Sequence, residues 1–257
     1  MNSDSVTNHI VSWLSNYCND ARMDGFVIGI SGGIDSAVTS ALCALTSKKT
    51  ILVNMPIRQS QSEYDRGFKH IEDLKTRFEN VSSLEIDLTK LFGLFEETMP
   101  NDIAENALSM ANSRARIRMT TLYAIAQQNR CLVAGTGNKI EDFGVGFFTK
   151  YGDGGVDLSP IADLTKTEVF NLAAHLEIVN DIQIAKPTDG LWGDGRTDED
   201  QLGASYPELE WAMEFKGEES TITERQKEVL SIYRSFNRIN KHKMEPIPVC
   251  IVPKNLK

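Results

Sequence analysis

The sequence predicts an α/β protein, a doubly wound parallel sheet with helices on both faces. Three observations point there. Short apolar runs of strand length alternate with longer stretches of helical period. Two of those runs, 26–30 and 130–135, are apolar almost throughout, as strands covered on both faces are. Both end in glycine-rich turns, and in open parallel sheets ligands gather beyond the carboxyl ends of the strands.

The elements follow in order. Residues 6–21 read as a helix with Ile10, Val11, Leu14 and Tyr17 on its apolar side. After strand 26–30 comes a Ser-Gly-Gly turn, and Asp35 and Ser36 open a helix running through Ala37, Val38, Ala41, Leu42 and Leu45. Residues 50–55 form a second strand ended by Pro56, 62–78 a helix, and 84–87 a short strand. Residues 101–129 are strongly helical and lead into strand 130–135. A helix is expected over 165–176, with Leu164, Val169, Leu172, Ala173 and Leu176 on its apolar side. Residues 187–205 are rich in Gly and Asp with little periodicity and read as a loop. Helices return at 206–215 and 223–238. The prolines of 246–253 confine that stretch to a sheet edge.

At 257 residues and 41% hydrophobic content, a proper core is within reach. One domain over 1–257 is expected, with no repeat or linker. No apolar run approaches the ~18 residues of a membrane span, and the polar stretch 1–8 lacks a signal-peptide core, which points to the cytoplasm. Four scattered cysteines, Cys18, Cys43, Cys131 and Cys250, read as reduced core residues. The net charge of −9 disfavours nucleic acid as a partner.

Chemistry concentrates in a few segments. Adjacent glycines before a helix N-terminus bring backbone N–H groups close to an anion. The spacing fits neither the Walker loop nor the dinucleotide Gly-x-Gly-x-x-Gly. Without the Walker lysine the turn is less suited to a transferable terminal phosphate, and Ser31-Gly-Gly-Ile-Asp-Ser36 resembles the pyrophosphate loop of the ATP-pyrophosphatase group. Glu141, in Gly135-Thr-Gly-Asn-Lys-Ile-Glu141, reads as a first-turn helix acid or, with Asp35, as a magnesium ligand. Residues 147–157 combine aromatics, Lys150, Asp153, Asp157 and glycines. They suit a plain glycine turn or the wall of a site for a flat ligand. Arg114 and Arg118 share a helix face while Arg116 projects elsewhere; a solvated basic face and an anion clamp are both open. His9, His70 and His175 receive no role.

Taken in order, the motifs resemble ammonia-dependent NAD synthetases over residues 25–206, with an echo at His242-Lys243. They are Gly29-Ile-Ser-Gly-Gly-Ile-Asp-Ser36, Asn112-Ser-Arg-Ala-Arg-Ile-Arg-Met119, Gly135-Thr-Gly-Asn-Lys-Ile-Glu141, Phe148-Thr-Lys-Tyr-Gly-Asp-Gly-Gly-Val-Asp157 and Asp163-Leu-Thr-Lys-Thr-Glu168. The resemblance implies an adenine-nucleotide alpha-hydrolase-like fold. It implies ATP binding by Gly29, Ile30, Ser31, Gly32, Gly33, Ile34, Asp35 and Ser36, with Thr136, Lys166 and Thr188 as further contacts. It implies Mg²⁺ on Asp35 and Glu141, and deamido-NAD on Arg116, Lys150, Asp157, His242 and Lys243. Lys166 and Asp153 are the implied catalytic groups, Asp153 beside the ammonia. A homodimer is implied as well. Met244 stands where the family often has arginine, and the segment after Glu141 is one residue longer than in many members.

The reaction so implied is attack of a nicotinate carboxylate on the α-phosphorus of ATP, followed by displacement of AMP by ammonia. It needs positioning and charge stabilisation rather than a protein nucleophile, in keeping with the lack of a Ser–His or Cys–His arrangement. Few residues precede the first strand, so no glutaminase domain is expected and free ammonia is the expected donor. Another amidating enzyme of the pyrophosphate-loop group, or a nucleotide-binding regulator on the same fold, is the alternative.

Overall fold

The structure, a computed structural model, describes residues 1–188 and 196–257. Its centre is a four-stranded parallel sheet of order β3-β2-β1-β4, with β1 Gly25–Gly29, β2 Lys49–Asn54, β3 Val81–Glu85 and β4 Cys131–Val133. The chain winds outward from β1 to β3 and then returns to place β4 on the other side of β1. The turn after β1 therefore lies at the switch point of the sheet.

Alternate strand side chains feed opposite layers. Phe26, Ile28 and Leu52 join a core with α1 (Ser3–Asp20), α2 (Ile34–Leu45), α3 (Gln61–Arg77) and α7 (Lys166–His175). Val27, Ile51 and Val53 join a second core with α4 (Thr89–Thr98) and α6 (Ala107–Asn129). A third cluster lies beyond the sheet. There the π-helical turn Ile140–Val145 packs on α10 (Tyr206–Glu214) and α11 (Glu224–Met244).

Helix boundaries follow local chemistry. The expected helix 101–129 is two: a short α5 (Asn101–Ala104), then α6, whose start is fixed by the Asn106 side chain accepting from the Ser109 N–H at 2.9 Å. The third strand begins earlier than expected because Thr50 pairs with Val81, and polar Ser82 and Ser83 on an edge strand conceal it from a hydrophobic reading. Helix α4 was not anticipated. A short α8 (Asn180–Gln183) follows α7, and within 187–205 a capping box of Thr197 and Asp200 starts α9 (Asp198–Leu202); residues 189–195 of the expected loop lie outside the described residues. Helix α11 runs past the expected 238 to Met244. Residues 246–253 form no sheet strand and are exposed. Tyr17 is 41% exposed rather than core. Cys18, Cys43 and Cys131 are buried as expected, whereas Cys250 is exposed. Among the described residues no helix is long and apolar enough to cross a membrane.

His70, fully buried on α3, ties that helix to α2. Ser40 Oγ donates to the Ala37 carbonyl at 3.0 Å, so the 2.8 Å contact between Ser40 and His70 Nε2 uses the imidazole N–H. Nδ1 is then an unprotonated buried acceptor. Burial pushes the imidazole down to about 4, and the unfolded chain binds this proton at about 6.5. Stability from neutral His70 is thus fully present above pH 6.5 and lost as pH falls towards 4, by about 3 kcal/mol. Urea midpoints at pH 7.5 and 5 for wild type and His70→Gln measure it. The variant is expected to have the shallower pH dependence, and equal slopes would refute the assignment.

Candidate active site

The turn leaving β1 forms the floor of the site. Gly32 sits at φ +82°, and a Cβ there would lie 2.4 Å from the Glu63 carbonyl oxygen of α3. Ser31 and Ser36 close the turn: their hydroxyls are 3.1 Å apart, and Ser36 Oγ donates to the Gly33 carbonyl at 3.0 Å. No side chain caps α2 at Gly33, which leaves first-turn N–H donors for an anion. Ile30 and Ile34 are each 4% exposed, so their side chains belong to the core and only their backbone can serve a ligand.

Above this turn three charged side chains meet. Lys166 is 3% exposed, with Nζ 2.5 Å from Asp35 Oδ2 and 3.1 Å from Glu141 Oε1. A capping box of Thr165 and Glu168 starts α7 at this lysine. A cation there faces the positive end of the helix dipole, and burial also opposes its charge. The two carboxylates override both, holding the ammonium protonated above its ordinary range. Asn138, fully buried, joins the pieces: Nδ2 donates to Asp35 Oδ1 at 3.3 Å, and Oδ1 accepts the N–H groups of Ile140 and Glu141. Glu141 opens a π-helical turn rather than the regular helix expected.

Tyr206 and Asp198 complete the cluster. The Tyr206 hydroxyl donates to Glu141 Oε1 at 2.5 Å and lies 3.2 Å from Asp198 Oδ2. Asp142 stands beside it, pushed up to about 7 by burial and then by Glu141, Asp153 and Asp35. Sequence reasoning missed Asn138, Asp142, Asp198 and Tyr206. Only Asn138 had a signal, its place inside the Gly135–Glu141 motif.

Among the described residues no three His, Cys, Asp or Glu side chains cluster as a metal centre. Asp35 and Glu141 nevertheless fit magnesium, which takes one or two carboxylates and completes its shell with phosphate and water. The Lys166 ammonium between them shows that the pair accepts a cation.

Four of the five residues expected to hold the dinucleotide come together. Arg116 Nε donates to the Lys150 carbonyl at 3.3 Å, and Lys150 Nζ to the His242 carbonyl at 2.5 Å. Lys243 Nζ donates to the Phe148 carbonyl at 2.6 Å and lies 4.9 Å above the Phe148 ring. Asp157 is tied elsewhere, accepting from Tyr123 at 3.0 Å and from the Val133 N–H at 2.8 Å. It edges a groove of about 540 Å³ lined by Trp13, Tyr17, Phe143 and Leu158. Asp153 Oδ1 accepts the Thr149 N–H at 3.0 Å. Thr136 follows β4, half-buried, and Thr188 Oγ1 donates to the Arg196 carbonyl at 3.3 Å. Arg114 and Arg118 do not form the solvated face that was one of their readings. Both are half-buried: Arg114 lies over Phe92 at 5.6 Å, and Arg118 Nε donates to the Met55 carbonyl at 3.1 Å. Burial brings the Arg118 guanidinium down to about 10.

With this geometry in place, the family model described as NAD synthase matches residues 6–246. The chain belongs to the NAD synthase family. The NH(3)-dependent NAD(+) synthetase of Alkaliphilus metalliredigens is 36% identical over 249 residues, 93% of this chain and 96% of that protein. The structure of NMN synthetase from Francisella tularensis superposes with a TM-score of 0.85 at 30% identity, covering 99% of both chains. The NH3-dependent NAD synthetase of Campylobacter jejuni, 23% identical with a TM-score of 0.79, shares the fold over 98% of this chain. Membership of the NAD synthase family makes the chain a ligase and bears out the fold class expected from the sequence.

Proposed function

We propose that this ligase converts deamido-NAD to NAD with ammonia and ATP, releasing AMP and pyrophosphate, with Mg²⁺ as cofactor. The observation that carries the reading is the convergence of Asp35, Glu141 and Lys166 over the uncapped start of α2. In the first half-reaction a nicotinate carboxylate oxygen bonds the α-phosphorus and the bond to the β-phosphate bridging oxygen breaks. In the second, ammonia bonds the carbonyl carbon, the bond from that carbon to the AMP phosphate oxygen breaks, and the nitrogen loses one proton to solvent as the amide forms and AMP leaves. The α2 N–H groups hold the departing pyrophosphate, and Lys166 offsets its charge. Magnesium, when bound, screens the phosphate oxygens. Arg116, Lys150 and Lys243 supply cationic contacts for the acceptor's phosphates, with His242 as a further contact. Asp153 takes the proton released from ammonium. The proposal includes one catalytic domain over residues 1–257, acting as a cytoplasmic homodimer.

Incubation with Mg-ATP, deamido-NAD and either ammonium or glutamine tests it. NAD, AMP and pyrophosphate are expected with ammonium alone; ADP as product would sink the mechanism, and absence of turnover would favour the nucleotide-binding regulator. The likeness to the Francisella tularensis NMN synthetase over 99% of both chains supports a second reading, in which the acceptor is the mononucleotide. Met244 in place of the expected arginine leaves one cation fewer for a second phosphate. Comparing kcat/KM for deamido-NAD and nicotinate mononucleotide in the same assay decides between them.

A further inference from the structure

We infer that Tyr206 is a positioning residue for the nucleotide-bound metal, its hydroxyl holding the Glu141 carboxylate in the orientation that faces Asp35. This inference rests on the reading of Glu141 as a metal ligand. Tyr206 is 3% exposed, and its ring packs in the core of α10, α11 and the π-helical turn. Packing alone would be served by phenylalanine. The hydroxyl instead reaches between two carboxylates, 2.5 Å from Glu141 Oε1 and 3.2 Å from Asp198 Oδ2. A phenol has one proton to give, and the shorter contact takes it. Glu141 Oε1 therefore accepts from Tyr206 as well as from Lys166, 3.1 Å away. The Lys166 ammonium also lies 4.6 Å from the Tyr206 ring centre. One side chain thus restrains both the carboxylate and the cation that now stands between Glu141 and Asp35. Groups that orient metal-binding carboxylates in this way typically change metal affinity about 10–100-fold when removed.

The test uses the whole chain and three variants: Tyr206→Phe, Glu141→Gln and the double variant. Mn²⁺-ATP is titrated without acceptor and followed by water-proton relaxation, and ATP binding is measured separately in EDTA. Tyr206→Phe is expected to weaken Mn²⁺-ATP binding about tenfold or more, with metal-free ATP binding and the melting temperature little changed. In the double variant, Tyr206→Phe is expected to add nothing to the effect of Glu141→Gln. A loss of equal size for Mn²⁺-ATP and metal-free ATP would mean a merely structural role and overturn the inference. So would an unchanged Tyr206→Phe beside a weakened Glu141→Gln, which would leave the metal reading standing. If Glu141→Gln has no effect on Mn²⁺-ATP, both fail together.

Discussion

Lys166→Met is expected to lower amidation about 10²–10³-fold, the usual cost of removing one pre-placed group that stabilises developing charge. The same change should destabilise the metal-free protein. Asp35 and Glu141, with side chains 16% and 15% exposed, would lose the ammonium they share, and breaking a buried pair in this way costs about 3–5 kcal/mol. Protonation of one carboxylate limits the loss. The two effects separate when pyrophosphate release and thermal unfolding are measured with and without Mg²⁺. Added metal should recover part of the lost stability, because a cation again stands between the carboxylates, without restoring the rate. Pyrophosphate release at the wild-type rate would remove Lys166 from the chemistry.

Gly32→Ala is expected to damage the nucleotide cradle more than any other single methyl group added to the turn. The residue sits at φ +82°, and the new Cβ would meet the Glu63 carbonyl oxygen at 2.4 Å. That contact is with backbone, so α3 or the turn must move. Left-handed backbone alone costs an L-residue about 1–2 kcal/mol, and the collision adds to it. Gly33 provides the control: its φ is −95°, and a Cβ there would meet only the Ser31 hydroxyl at 3.2 Å. Equilibrium unfolding and ATP binding should therefore show Gly32→Ala clearly worse than Gly33→Ala. Equal losses would mean that the turn tolerates a shift of α3.

These residues illustrate what a sequence exposes. The cradle was legible because a strand, two glycines and a helix start are consecutive in the chain, and their geometry follows from local backbone rules. The alternation that defines the sheet was legible for the same reason. Polar edge strand β3 was placed late and α4 was missed, because pairing and packing, rather than local period, hold them. The arginines of α6 allowed a solvated reading because spacing does not report burial; Phe92 and the Met55 carbonyl become their partners only once α6 lies against α4 and the end of β2.

By itself the sequence determined the α/β class, the anion-binding turn and, through the order of its motifs, the family. Tertiary structure decided which charges meet. Lys166 lies 131 residues from Asp35 and 25 from Glu141, while Tyr206 reaches Glu141 across 65. No local rule links positions so far apart. The parallel sheet does so by ending β1 and β4 side by side, and the buried ammonium, carboxylates and phenol are compatible there only because each supplies what the others lack.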